Sequence, residues 1–96
     1  MMTKMEIKEV IKTLEIKNKM GMHARPASLL VQTCNKFISD ITFEKEGLQV
    51  NGKSILGIMT LAAPFGSKIV VSIKGPDAEQ AMTDIEKVFD DKFNEE

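Results

Sequence analysis

Apolar residues recur along the chain at two spacings. At every second position stand Val10, Leu14 and Ile16 in VIKTLEI, Ile41 and Phe43, Leu48 and Val50, and Ile69, Val71 and Ile73 between Lys68 and Lys74. Alternation of this kind predicts strands with one covered face. Lys12 interrupts the first of them. At three- and four-residue spacing stand Ala27, Leu30, Val31 and Cys34 in a segment beginning at Ala24, and Ala78, Ala81, Met82, Ile85, Val88 and Phe89 near the other end. These stripes predict amphipathic helices. A shorter helix is predicted over ILGIMTLA, with Ile55, Leu56, Met59 and Leu61 apolar.

The residues between these segments supply the boundaries. Asn18-Lys19-Met20-Gly21 reads as a loop, and Glu46-Gly47, Asn51-Gly52 and Gly75-Pro76 read as turns. Ser54 is a natural N-cap for the short helix, and Pro64-Phe65-Gly66 ends it. Asp77 is expected to cap the last helix, with Gln80 three residues on completing a capping box. The order is β-α-β-β-α-β-α. An α+β open-faced β-sandwich, a four-stranded antiparallel sheet with three helices on one face, covers every stripe.

The 96 residues make one domain's worth of chain, 1–96. The single cysteine, Cys34, rules out an intrachain disulfide and fits a reducing compartment. MMTKMEIKEV has scattered charges and no apolar run long enough for a signal or a membrane span. A soluble, cytoplasmic protein with no membrane insertion is expected. The net charge of -1 hides an asymmetry: residues 1–36 carry seven Lys/Arg against three Asp/Glu, and residues 77–96 carry eight acids against two lysines. Neither balance, with five Phe as the only aromatics, suits nucleic acid. The acidic end is read as solvated surface.

The stretch GMHARPAS, Gly21–Ser28, holds the only histidine, His23, and the only arginine, Arg25, beside Pro26. A proline is tolerated in a helix only in the first turn, so Pro26 sets the helix start close to His23. With His23 at the N-cap, the first backbone N–H groups and the positive end of the helix dipole make an anion site beside the imidazole. Arg25 adds a guanidinium suited to phosphate oxygens. Neutral imidazole is a nucleophile at cytoplasmic pH. The arrangement suggests a phosphorylated histidine, and an ordinary cap or loop histidine is the alternative from spacing alone. One His and one Cys supply no metal-ligand cluster, and no cofactor is implied.

GMHARPAS, followed by VNGKSILGIMTLA and GSKIVVSIKGPD, resembles HPr, the histidine-containing phosphocarrier family of the phosphoenolpyruvate-dependent sugar phosphotransferase system. The similarity runs from about Val10 to the last helix, which leaves residues 1–9 as an N-terminal extension. The resemblance implies the open-faced sandwich. It implies phosphorylation of His23 on Nδ1 by enzyme I, transfer to an enzyme IIA domain, and a charge role for Arg25. It also implies a regulatory phosphorylation of Ser54 by an HPr kinase/phosphorylase, against which plain N-capping is the simpler account. Ile55, Leu56 and Met59 resemble a partner-binding surface, with Ser28 beside it and Met20 and Met22 flanking His23 as methionines suited to several partners; a place in the core for the first three and gap-filling for the two methionines are the alternatives. In the short helix, Ile58 and Leu61 are expected inward, Leu56 and Met59 outward. A carrier that docks several partners is expected to be monomeric.

The chain departs from that pattern at Pro64-Phe65, where the family more often has a small or polar pair, and at Gln32 and Asn35, where several relatives carry basic residues. Two rival readings are a regulatory, nitrogen-type relative that serves no sugar uptake and a small anion- or effector-binding module without covalent chemistry. The leading reading is a stoichiometric phosphocarrier, expected to be a substrate of kinases rather than a turnover enzyme.

Overall fold

The strand and helix boundaries follow the spacing rules closely. The computed structural model describes residues 7–95. In order come β1 (Lys8–Glu15), α1 (Ala24–Cys34), β2 (Asp40–Lys45), β3 (Leu48–Asn51), α2 (Ile55–Thr60), β4 (Lys68–Gly75) and α3 (Ala78–Asp90), followed by a short turn at Lys92–Asn94. Of the expected N-terminal extension, residues 1–6 lie outside the described residues, while Lys8 and Glu9 pair within β1.

The four strands form one antiparallel sheet in the order β1-β4-β2-β3. Register puts Phe43 beside Val50 on one side and Val71 on the other. Ile41, Phe43, Ile69, Val71 and Ile73 are buried beneath the helices, as are Ala27, Leu30 and Cys34 from α1 and Ala81, Met82, Ile85 and Phe89 from α3. The other face of the sheet carries Ile11, Thr13, Ser72 and Thr42 towards water. An antiparallel sheet covered on one side gives this clean alternation. The β2–β3 hairpin turns through Glu46 and Gly47, both at positive φ (51° and 87°), the geometry of a two-residue turn matched to strand twist.

Lys12, which breaks the alternation of β1, sits on the helix side of the sheet and reaches Glu86 of α3 at 3.0 Å. Lys8 pairs with Glu79 at 3.5 Å, and Lys17 with Asp90 at 2.6 Å. The basic early part of the chain therefore faces the acidic late part. Such surface pairs contribute about 0–1 kcal/mol each, so they orient α3 over β1 more than they stabilise it.

Two local expectations fare differently. Ser54 caps α2 as expected, its Oγ accepting from Gly57 N at 3.0 Å. Asp77 stands at the start of α3, but its side chain makes no cap hydrogen bond. Its carboxylate accepts instead from Ile38 N at 3.0 Å, Ser39 N at 3.1 Å and the Ser39 hydroxyl. The hydrogen bond from the Ser39 side chain is the main reason the Asp77 carboxyl lies below its ordinary pKa. The capping box is absent too, because Gln80 donates to Asp84 one turn along the helix. Asp77 thus ties the chain entering β2 to the start of α3, a partnership 38 residues away in sequence.

Candidate functional site

The loop after β1 sets the position of the histidine. Ile16 is fully buried and exchanges backbone bonds with the loop after α2, its N–H to Ser67 O and its carbonyl to Gly66 N. Gly21 then turns at φ +73°, a conformation open to glycine, where a Cβ would lie 2.8 Å from Ala63 O and 3.0 Å from Pro64 Cα. Met22 N donates to Ala63 O at 2.8 Å. The loops before α1 and after α2 are therefore zipped together.

His23 is the N-cap of α1, with extended backbone at φ -120° and ψ -167°. The first helical bond runs from Ala27 N to His23 O at 3.0 Å. The N–H groups of Ala24 and Arg25 have no intrahelical acceptor, and Pro26, buried in the first turn, has no N–H to place. No acidic residue stands in that turn, so the helix end keeps its attraction for anions. The imidazole makes no cap bond to the helix. It points instead to Glu95: Nε2 lies 2.9 Å from Oε2 and 3.2 Å from Oε1.

Glu95 and Asn18 are the residues missed by sequence reasoning. Asn18, fully buried, donates through Nδ2 to Gly21 O at 2.7 Å and to Glu95 Oε1 at 3.0 Å. Its Oδ1 has no hydrogen-bond partner among the described residues. Burial of the Glu95 carboxyl pushes its pKa up. The hydrogen bonds from Asn18 and His23 and the charges of His23 and Arg25 outweigh this, and its pKa lies below the ordinary glutamate value. The expectation that the whole acidic end is solvated surface fails here: the Glu95 side chain is 13% exposed, against 40% for His23. The signal available was Phe93, four residues beyond Phe89. It prolongs the buried stripe of α3 past the helix end, with ring centroids 4.9 Å apart.

Arg25 is exposed and lines an open cleft together with Lys19, Met20, Asn94 and Glu95. Glu95, which binds the His23 ring, shares this cleft with the two cations Lys19 and Arg25. Cys34 is no rival nucleophile. Burial pushes its thiol up to about 12, with Lys53 opposing weakly, so the thiolate is absent at neutral pH.

The expected partner surface is placed unevenly. Met20 and Leu56 are highly exposed, at 77% and 76%; Ile55 and Met59 are exposed to a lesser degree. Met22 and Ser28 are half-buried, and Met22 packs against the core. Ile58 and Leu61 face inward, as expected. Phe65, the departure in the loop after α2, is exposed, on the loop zipped to the histidine loop. Gln32 and Asn35 are both exposed. No described helix is long and apolar enough to cross a membrane.

A family model described as "PTS HPr component phosphorylation site" matches residues 10–91. The phosphocarrier protein HPr of Treponema pallidum is 44% identical over 87 residues, which cover 91% of this chain and 99% of that protein. The crystal structure of HPr-C-His from Thermoanaerobacter tengcongensis superposes with a TM-score of 0.85 at 49% identity, over 93% of this chain and 98% of that one. The Bacillus subtilis catabolite-repression protein Crh, whose crystal structure is described as a swapped dimer, gives a TM-score of 0.70 at 38% identity, over 82% of this chain and 91% of that one. With the sandwich, the α1 N-terminus and its histidine and arginine all in place, the chain belongs to the HPr family of phosphotransferase-system phosphocarriers.

Proposed function

We propose that this chain accepts a phosphoryl group on Nδ1 of His23 from enzyme I and passes it to an enzyme IIA domain in the cytoplasm. The observation that carries the reading is the placement of the ring. A half-exposed imidazole stands at the N-cap of α1, makes no cap bond to the helix, and has its Nε2 already engaged by Glu95. Nδ1 is the nitrogen left for chemistry. A phosphoryl group there gains from the helix dipole and from the Ala24 and Arg25 N–H groups. Arg25 adds a charge-assisted hydrogen bond worth about 1.5–3 kcal/mol. Arg25→Ala is therefore expected to slow transfer by roughly ten- to a hundredfold, with partial rescue by lysine, which cannot bind two oxygens at once. Phosphorylation rates with enzyme I and phosphoenolpyruvate check this; an unchanged rate would remove the electrostatic role.

Partners dock on the rim formed by Met20, Ile55, Leu56 and Met59, with Met22 and Ser28 contributing at its edge, and a monomer keeps that rim open. The direct test of the carrier reading is incubation with phosphoenolpyruvate and enzyme I, followed by mass spectrometry of the intact chain at neutral pH. A single phosphoryl adduct lost in acid and kept in base is expected, and a chain that takes none would refute it.

Ser54 supports a second, regulatory reading. Its Oγ already faces the start of α2, so a phosphate made there by an HPr kinase/phosphorylase meets helix N–H groups and costs the helix little. The same charge sits beside Ile55 and Leu56, whose docking requires loss of water. Ser54→Asp is expected to melt near the wild-type temperature yet accept phosphate much more slowly than Ser54→Ala. Equal rates would leave Ser54 as a helix cap alone.

A further inference from the structure

We propose that Glu95 is a positioning residue for His23: its carboxylate selects the ring tautomer in which Nε2 carries the proton and Nδ1 presents a bare lone pair. The inference rests on the carrier reading above and adds the group that prepares the nucleophile. An ionised carboxylate can only accept hydrogen bonds. With Nε2 at 2.9 and 3.2 Å from its two oxygens, the proton between them belongs to the ring. In neutral imidazole the other nitrogen is then unprotonated.

Three features hold the carboxylate in place. Asn18 Nδ2 fixes Oε1 at 3.0 Å while it also ties down Gly21 O, so one buried amide couples Glu95 to the loop that carries His23. The backbone leading to Glu95 is unusual: Lys92, Phe93 and Asn94 all stand at positive φ, 56°, 52° and 61°. Left-handed non-glycine residues are each disfavoured, and runs of them persist only when the surroundings impose them. Here the imposing contact is Phe93, 1% exposed against Phe89, which pins the chain beyond α3 and turns it back over His23.

The transfer step then balances without a proton leaving the ring. The Nδ1 lone pair forms a bond to phosphorus as the bond between phosphorus and the donor breaks, and that electron pair departs with the donor. His23 keeps the Nε2 proton, so its ring becomes cationic opposite the Glu95 carboxylate. Onward transfer reverses both changes. A carboxylate that holds the tautomer and faces the cation formed is the arrangement by which an aspartate assists the histidine of a serine-protease triad.

The single histidine makes the test clean. Protein labelled with ¹⁵N in its histidine ring is observed by NMR at about pH 8, above the ordinary imidazole pKa, for wild type, Glu95→Ala and the near-isosteric Glu95→Gln. Wild type is expected to show Nε2 protonated and Nδ1 bare. Glu95→Ala is expected to show averaged shifts from mixed tautomers at an unchanged melting temperature, and Glu95→Gln, whose amide oxygen still accepts from Nε2, to keep more of the wild-type tautomer. Phosphorylation of Glu95→Ala should slow by roughly ten- to a hundredfold, the loss seen when the orienting partner of a metal-ligating histidine is removed. A wild-type ring protonated on Nδ1, or Glu95→Ala with the wild-type tautomer, would overturn the proposal. The tautomer is read without any phosphoryl donor, so a failure of the carrier reading leaves this result separately decided.

Discussion

His23→Ala is expected to end phosphoryl acceptance altogether while the protein melts within a few degrees of wild type. The ring lies outside the core, is 40% exposed and makes no cap bond to α1, so its removal opens no cavity and orphans no helix N–H. Substitutions at such surface positions stay within roughly 0.5 kcal/mol. Its loss frees the Glu95 carboxylate, which retains Asn18 as a partner. The Cys34 thiol offers no substitute nucleophile, since it is buried and held protonated. Intact-mass spectrometry at neutral pH after incubation with enzyme I and phosphoenolpyruvate reads the adduct, and thermal melting reads the fold. A phosphoryl adduct on the alanine variant would place the chemistry elsewhere.

Phe93→Ala is expected to be a costly change outside the sheet, and to act on the site as well as on stability. The ring is 1% exposed and stacks in a tilted geometry on Phe89, which lies 6.4 Å from Phe43 in the sheet. Burying a large aromatic and then deleting it costs about 3–5 kcal/mol, with the low end applying where the chain can relax into the space. Near the end of the described chain it can, so about 3 kcal/mol is expected by urea denaturation. The left-handed turn has no other buried anchor at Lys92–Asn94. Without it Glu95 should leave His23, and Phe93→Ala should reproduce the ring tautomer mixture of Glu95→Ala in addition to losing stability. A loss below about 1 kcal/mol, within the range of ordinary surface changes, would show that the turn is not held by this ring.

The elements that were legible in the chain are those whose signal is local. Ile69, Val71 and Ile73 alternate because each faces the same core from one strand, and the stripe from Ala78 to Phe89 repeats because one helix face meets one sheet. Ser54 could be read as a cap because its acceptor and its donor, Gly57 N, are three residues apart. His23, Arg25 and Pro26 could be read together for the same reason: a helix start lies within a single turn of chain. Asp77 had equal local credentials as a cap and serves another purpose, since Ile38 and Ser39 arrive from the loop before β2 and offer three donors. Lys12 looked like a flaw in a strand until Glu86 was brought opposite it.

The amino-acid sequence by itself determined the element order, the covered faces, the helix end that carries His23 and Arg25, and the family resemblance, because periodicity, capping and turn preferences act over a few residues. The tertiary structure decided what engages the histidine. Glu95 lies 72 residues from His23, and Asn18 lies 77 residues from Glu95. No spacing rule links them. They meet because Phe93 is buried against Phe89, and that contact holds three residues in a backbone conformation their side chains disfavour.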